Sequence, residues 1–166
     1  MAETRWLDEG EQEVWRAFIT ATEGLTDHFD RQLQRDSGMP YTYYEILVAL
    51  SEAPGRTLRM STLAGARGSS RSRLSHAVAR LEEVGWVRRR TCPTDKRGSF
   101  AFLTDEGFAA LEAAAPGHVT SVREKLFDLL SPEQVKMLGE ISKAILSGLN
   151  CQESAAACDE TSDSDC

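Results

Sequence analysis

The chain has 166 residues and a mass of 18.3 kDa, with 41% apolar and 27% charged residues. That is enough for one globular domain, or two small lobes sharing a core, and too little for a multi-domain enzyme. The longest apolar run, Ile46 to Leu50, is far short of a ~20-residue membrane span, and the acidic N-terminus has no secretory pattern, so a cytoplasmic protein with reduced cysteines is expected.

In chain order, Val14, Phe18, Leu25, Phe29 and Leu33 mark the apolar face of a long helix over 7–35, widened by Trp15 and Ile19. Ser37-Gly38-Met39-Pro40 ends it, and Tyr41 to Glu52 forms a second helix, stopped by Ala53-Pro54-Gly55. A short strand around Thr57-Leu58 and a short helix from Met60 to Ala66 follow, then a turn at Arg67-Gly68-Ser69. From Ser70 to Val84 an amphipathic helix sets Leu74, Ala77, Val78, Leu81 and Val84 on one side and Ser72, Ser75, His76 and Ala79 on the other. Gly85 stands where a helix C-cap favours glycine. Trp86 to Arg90, a turn-rich loop over 92–98 and the alternating Ser99 to Leu103 read as a hairpin. Thr104 caps a helix with Asp105 and Glu106 in its first turn, running to about Leu130 with a kink near Pro116-Gly117. Ser131-Pro132-Glu133-Gln134 caps the last helix, which carries Val135, Leu138, Ile141, Ile145 and Leu149 on one face. Residues 150–166 lack any Leu, Ile, Val or aromatic side chain and read as a disordered acidic tail.

The formal charge of −7 conceals a division. Residues 56–97 hold eleven basic residues, ten of them arginine, against three acidic ones. Arginine is the better donor for bidentate phosphate and guanine contacts. The order helix, turn, helix, strand, loop, strand over 60–103 is a winged helix-turn-helix, so the fold class is mainly α with a small β-hairpin wing. Its second helix would enter the major groove with Ser70, Arg71, Ser72, Arg73, Ser75 and His76, small side chains letting the arginines approach. Arg80, deeper and on the flank, suits a phosphate. In the loop Asp95 can brace Arg97, beside Lys96, for a minor groove. The alternatives at this point are a winged-helix module for a protein or RNA partner and, for the Asp95–Arg97 pair, a surface ion pair without function.

Leu63-Ala64, Gly68-Ser69-Ser70-Arg71-Ser72, Val78 through Arg88, Asp95-Lys96-Arg97-Gly98 and Leu103-Thr104-Asp105-Glu106-Gly107 together resemble the MarR family of bacterial transcriptional regulators. The resemblance runs from about residue 7 to 149. It implies a homodimer that binds a palindromic double-stranded DNA operator as a regulator, expected to be a repressor, with release by a small aromatic or anionic effector or by oxidation, and a wing pair of Asp95 and Arg97. The sequence departs from the family at Ser69, where the turn usually carries an apolar residue, and at the polar Arg67. The apolar helix faces at both chain ends independently call for a symmetric partner. Residues 5–38 and 105–149 are therefore assigned to dimerisation and 40–104 to the DNA-binding lobe. Trp15, His28, Tyr41, Tyr43 and Tyr44 are the candidate effector-pocket residues.

Cys92, amid arginines, is a candidate redox-sensing thiol, which leaves a redox regulator as a further alternative. Cys151, Cys158 and Cys166 form no CxxC pair, and the three histidines are not in ligand spacing, so no metal or cofactor is expected. No nucleophile elbow, P-loop or dinucleotide fingerprint points to an enzyme.

Overall fold

The computed structural model describes residues 3–66, 71–91 and 99–159. The chain divides into two compact units, residues 1–122 and 123–166.

The first unit opens with α1 (Glu9–Ser37), whose capping box pairs the Asp8 side chain with the Glu11 N–H and the Glu11 side chain with the Asp8 N–H. At its other end the N–H groups of Gly38 and Met39 donate to the carbonyls of Gln34 and Leu33. The next helix, α2 (Tyr41–Glu52), starts behind Pro40, which has no capping side chain. Asp30 of α1 takes that role, accepting from the Tyr41 N–H at 2.9 Å. A 3-10 turn (Pro54–Arg56) leads into β1 (Thr57–Arg59), α3 (Met60–Ala66) and α4 (Arg71–Glu83). Strands β2 (Val87–Thr91) and β3 (Ser99–Leu103) complete a three-stranded antiparallel sheet in the order β1-β3-β2. The sequence placed the strands but not their order, in which Thr57, Leu58 and Arg59 of the short β1 pair with Phe102, Ala101 and Phe100 of β3, far along the chain.

The core lies between α2, α4 and one face of the sheet. It holds Ile46, Leu47, Leu50, Leu63, Leu74, Val78, Leu81, Val87, Ala101 and Leu103. Leu33 of α1 and Leu111 and Ala114 of α5 (Asp105–Lys125) join the same cluster. The division into 5–38, 40–104 and 105–149 is thus one of expected roles; the packing joins α1, the lobe and α5 up to Val122 in one unit.

Three further expectations need correction. Val84 continues the apolar spacing of α4 yet is 56% exposed, because the helix ends at Glu83 and Gly85 turns the chain into β2. The helix from Thr104 stops at Lys125, and Phe127–Leu129 form a separate 3-10 turn before Leu130. The last helix, α6 (Pro132–Asp159), continues well past Leu149 instead of giving way to an irregular tail at 150. Its extension, Cys151-Gln152-Glu153-Ser154 followed by three alanines, contains strong helix formers and no Gly or Pro to stop it. Residues 160–166 lie outside the described part.

In the second unit the capping box at the start of α6 is as expected: Ser131 N–H donates to Gln134 Oε1 at 2.8 Å and Gln134 N–H to Ser131 Oγ at 3.3 Å. Glu133, in the first turn, is held below the ordinary carboxylate range by its own backbone N–H and by the Ser131 hydroxyl. Met137, Ile141, Ile145, Leu146 and Leu149 of α6 are all exposed. In the first unit the N-terminal half of α1 repeats this, with Val14 70% and Trp15 55% exposed, whereas Phe29 and Leu33 at its other end are buried.

Candidate nucleic-acid interface

Helix α4 divides as its sequence period requires. Leu74, Val78 and Leu81 are buried, while Ser72, Arg73, His76, Arg80 and Glu83 are exposed along the opposite side. The exposed residues recur at three- and four-residue intervals and so form one strip. Ser75 is half-buried beside it. Ser70 and the side chain of Arg71 lie outside the described residues, as do Asp95, Lys96 and Arg97 of the loop and the candidate thiol Cys92. At the distal end of the strip Arg80 Nη1 donates to Glu83 Oε2 at 2.7 Å, which holds the guanidinium above its ordinary range. This pairing was missed although its i, i+3 spacing was readable.

The three consecutive arginines of β2 are not equivalent. Arg89 points to the core side of the sheet, where Glu82 of α4 accepts from both its backbone N–H and its guanidinium Nε. Arg88 and Arg90 alternate to the outer side. Arg89 thereby ties the wing to the end of the helix that carries the polar strip.

The junction between β2 and α5 is built around the Trp86 carbonyl. It accepts from the Thr104 N–H at 3.1 Å and the Thr104 hydroxyl at 3.0 Å. The same hydroxyl accepts from the Gly107 N–H at 3.0 Å and so caps α5. Nearby, Arg56 has a left-handed backbone (φ 52°), its guanidinium lies 3.8 Å from the centre of the Phe108 ring, and Nη1 donates to Asp105 at 3.1 Å. These contacts offset the strain at Arg56 and fix the start of α5 against the lobe.

Of the candidate effector residues, the structure brings together His28, Tyr41 and Tyr44, and adds a residue read from sequence only as packing or surface. His118 of α5 is buried among the rings of Phe29, Tyr41 and Tyr44, with centroids at 5.2, 5.7 and 4.5 Å. Its Nδ1 lies 3.4 Å from Gln32 Oε1; Gln32 donates onward to Asp36 Oδ2 at 2.9 Å, and Arg35 donates to the same carboxylate. His28 Nε2 lies 3.0 Å from Ser121 Oγ. Trp15 does not belong to this cluster: it is thirteen residues, about 20 Å of helix, from His28 and faces solvent. Tyr43 is half-buried and packs against the core without a ring contact to this cluster.

Burial lowers the His118 pKa from its ordinary 6.5 and raises that of the Tyr44 hydroxyl, so both groups are held neutral. The folded state thus refuses a proton that the unfolded chain accepts. The neutral His118 contribution to stability is fully present above pH 6.5 and is lost as the pH falls from there toward the folded His118 value. We expect His118→Gln to flatten the stability profile between about pH 7 and pH 5 relative to the parent chain. Denaturant midpoints across that range give the readout; an unchanged slope would assign the acid sensitivity to other groups.

Against this geometry the comparisons are informative. A family model described as the MarR family matches residues 37–98. The transcriptional regulator HosA of Escherichia coli O111:H- is 33% identical over 103 residues, covering 62% of this chain and 74% of that protein. Among solved structures, Sco3205 of Streptomyces coelicolor, a MarR family transcriptional regulator crystallised with DNA, is 60% identical with a TM-score of 0.83, covering 88% of this chain and 92% of that one. This chain belongs to the MarR family. AbsC, another MarR family regulator from the same organism, is 44% identical with a TM-score of 0.81, covering 89% of this chain and 99% of that one. The family model reaches only from Ser37 to Gly98, the MarR winged lobe, but the similarity to these two structures extends over the flanking helices as well. HosA, Sco3205 and AbsC are all described as transcriptional regulators. No described helix is long and apolar enough to cross a membrane, and no group of three or more potential metal ligands occurs among the described residues.

Proposed function

We propose that this MarR-family protein is a sequence-specific regulator that binds double-stranded DNA as a homodimer on a palindromic operator, chiefly as a repressor, in the bacterial cytoplasm. The observation that carries the reading is the exposed strip of α4, with Ser72, Arg73 and His76 on the side away from the core. A helix fixed by Leu74, Val78 and Leu81 can present such side chains to a major groove without rearrangement. The crystallisation of the 60% identical Sco3205 with DNA supports it, and MprA of Escherichia coli, 27% identical, is a transcriptional repressor. Ser70, Arg71, Ser75 and Arg80 complete the helix contacts, and Asp95, Lys96 and Arg97 those of the wing. Salt-dependent binding to a palindromic duplex, selected from a random pool by the full chain, tests the reading. Equal affinity for selected and scrambled duplexes would exclude it.

The dimer reading is supported by apolar faces that are exposed among the described residues. Val14, Trp15 and Phe18 on α1, and Met137, Ile141, Ile145, Leu146 and Leu149 on α6, are exposed in both units. A second copy covers both sets symmetrically. Sedimentation of the full chain at micromolar concentration should give about twice 18.3 kDa. A clean monomer at that concentration would remove the two-half-site arrangement.

The effector reading rests on His118, Tyr41, Tyr44 and His28, where a small aromatic anion would find ring faces and imidazole N–H groups. This cluster joins α1, α2 and α5, so a ligand there would act on the junction between the DNA-binding lobe and the helices proposed to dimerise.

A further inference from the structure

Among the described residues, nothing of the core cluster packs on the outer face of the three-stranded sheet. The register places Arg59, Phe100 and Arg90 in one row and Thr57, Phe102 and Arg88 in the next, all on the side away from the core. Arg59, Arg88 and Arg90 are exposed, and both phenylalanines are half-buried beneath them. The Arg59 guanidinium carbon lies 5.3 Å from the centre of the Phe100 ring, and that of Arg90 lies 4.9 Å from the centre of Phe102. Among the described residues none of the three arginines pairs with a carboxylate, whereas Arg56, Arg80 and Arg89 each do. The rings set two of the guanidinium planes without neutralising them. The result is a preorganised cationic face with no acidic residue in either row.

We infer that this face binds the phosphate backbone of duplex DNA flanking the operator, beyond the base pairs read by α4 and the wing loop. The inference rests on the DNA-binding reading above. Two features favour flanking DNA over an acidic protein segment. The row Arg59–Phe100–Arg90 is one residue pair from Thr91–Ser99, the end of the hairpin from which the loop carrying Lys96 and Arg97 departs, so the face is continuous with the proposed wing contact. Arginines fixed over rings at separate points along a sheet also suit regularly spaced phosphates, which need position and charge but no pocket. The face adds affinity and length of footprint, not base recognition.

The test uses the full chain and a selected operator duplex, either bare or extended on each side by about one helical turn of arbitrary sequence, ~10 bp. Parent protein should prefer the extended duplex by about tenfold at low salt. The variant Arg59→Gln/Arg90→Gln should lose that preference, keep its affinity for the bare duplex within about twofold, and show a salt slope on the extended duplex shallower by about four units, about two for each protomer of the homodimer. Arg59→Lys/Arg90→Lys should recover most of the preference, and unchanged melting of each variant would confirm intact folding. Equal affinity of the parent for bare and extended duplexes overturns the inference, and so does an equal loss on both in the glutamine variant. Arginine-dependent binding of polyglutamate without any effect of flanking DNA overturns it as well and assigns the face to an acidic protein. Failure of the operator reading itself would look different: no selected duplex would be bound in preference to scrambled DNA.

Discussion

Gly107→Ala should lower the melting temperature by about 10 °C, the largest stability loss of any glycine substitution in the described chain. A Cβ at this position would stand 2.1 Å from the Trp86 carbonyl oxygen and 2.9 Å from a Leu103 methyl. The first of these is backbone, so relief requires moving β2 or the start of α5 and not merely turning a side chain. The shift would also strain the contacts that Trp86 receives from the Thr104 N–H and hydroxyl, and the capping bond from Gly107 to that hydroxyl. Overpacking costs about 1–3 kcal/mol and occasionally more; strain in these three hydrogen bonds, each worth about 1 kcal/mol, puts this case at the upper end. Gly24→Ala is the contrasting control. It lies within α1, nothing stands within 4 Å of its added Cβ, and the change should stabilise the helix by about 0.5–1 kcal/mol. Thermal melting of both variants beside the parent checks the pair. A Gly107→Ala protein that melts with the parent would mean that the close approach to Trp86 is readily relaxed.

That junction shows what a sequence discloses. Leu103-Thr104-Asp105-Glu106-Gly107 was legible as a capped helix start, because a hydroxyl followed by two acids has a local meaning. Why glycine stands at its third helical position was not, since the reason is a carbonyl 21 residues earlier in the chain. The same holds elsewhere. Tyr41 to Glu52, Met60 to Ala66 and Ser99 to Leu103 fall within their expected bounds, because Pro, Gly or a change of period flanks each one. The end of α6 had no such signal, and alanines carried the helix on where the loss of large apolar residues had suggested a stop.

The candidate sites divide in the same way. The exposed strip of α4 was readable because a helix needs only its own period to define a face. The surroundings of His118 were not, because residues 28–44 and 118–121 meet only through the packing of α1 and α2 on α5. An isolated histidine beside a proline-bearing stretch of helix gives no sign that three aromatic rings and Gln32 will enclose it. The division of Arg88, Arg89 and Arg90 between two faces of the sheet was implicit in strand alternation, but the partner of Arg89 was not.

Arg73→Ala should weaken binding to the selected operator by about 1–3 kcal/mol, roughly fivefold to 150-fold, and weaken binding to scrambled duplex much less. Arg73 is the third residue of α4 and is exposed, so a fork-shaped donor there can reach guanine O6 and N7 in the major groove. Arg97→Ala should instead reduce affinity for both duplexes, with any lost preference confined to flanking A·T steps, because a wing arginine meets a minor groove whose pattern is degenerate and whose attraction is mainly electrostatic. Arg80 refines the comparison. It was read from sequence as a simple phosphate contact, but its guanidinium is already engaged by Glu83 at 2.7 Å. Removing it should therefore flatten the salt slope by less than the ~0.9 per protomer of a full phosphate contact. Glu83→Gln should act in the opposite direction, tightening binding to both duplexes by freeing the cation for a phosphate. Titrations of the four variants against selected and scrambled duplexes over a salt series separate these roles. Equal losses on both duplexes for Arg73→Ala would reduce it to a backbone contact, and a Glu83→Gln protein that binds no better than the parent would place Arg80 outside the footprint altogether.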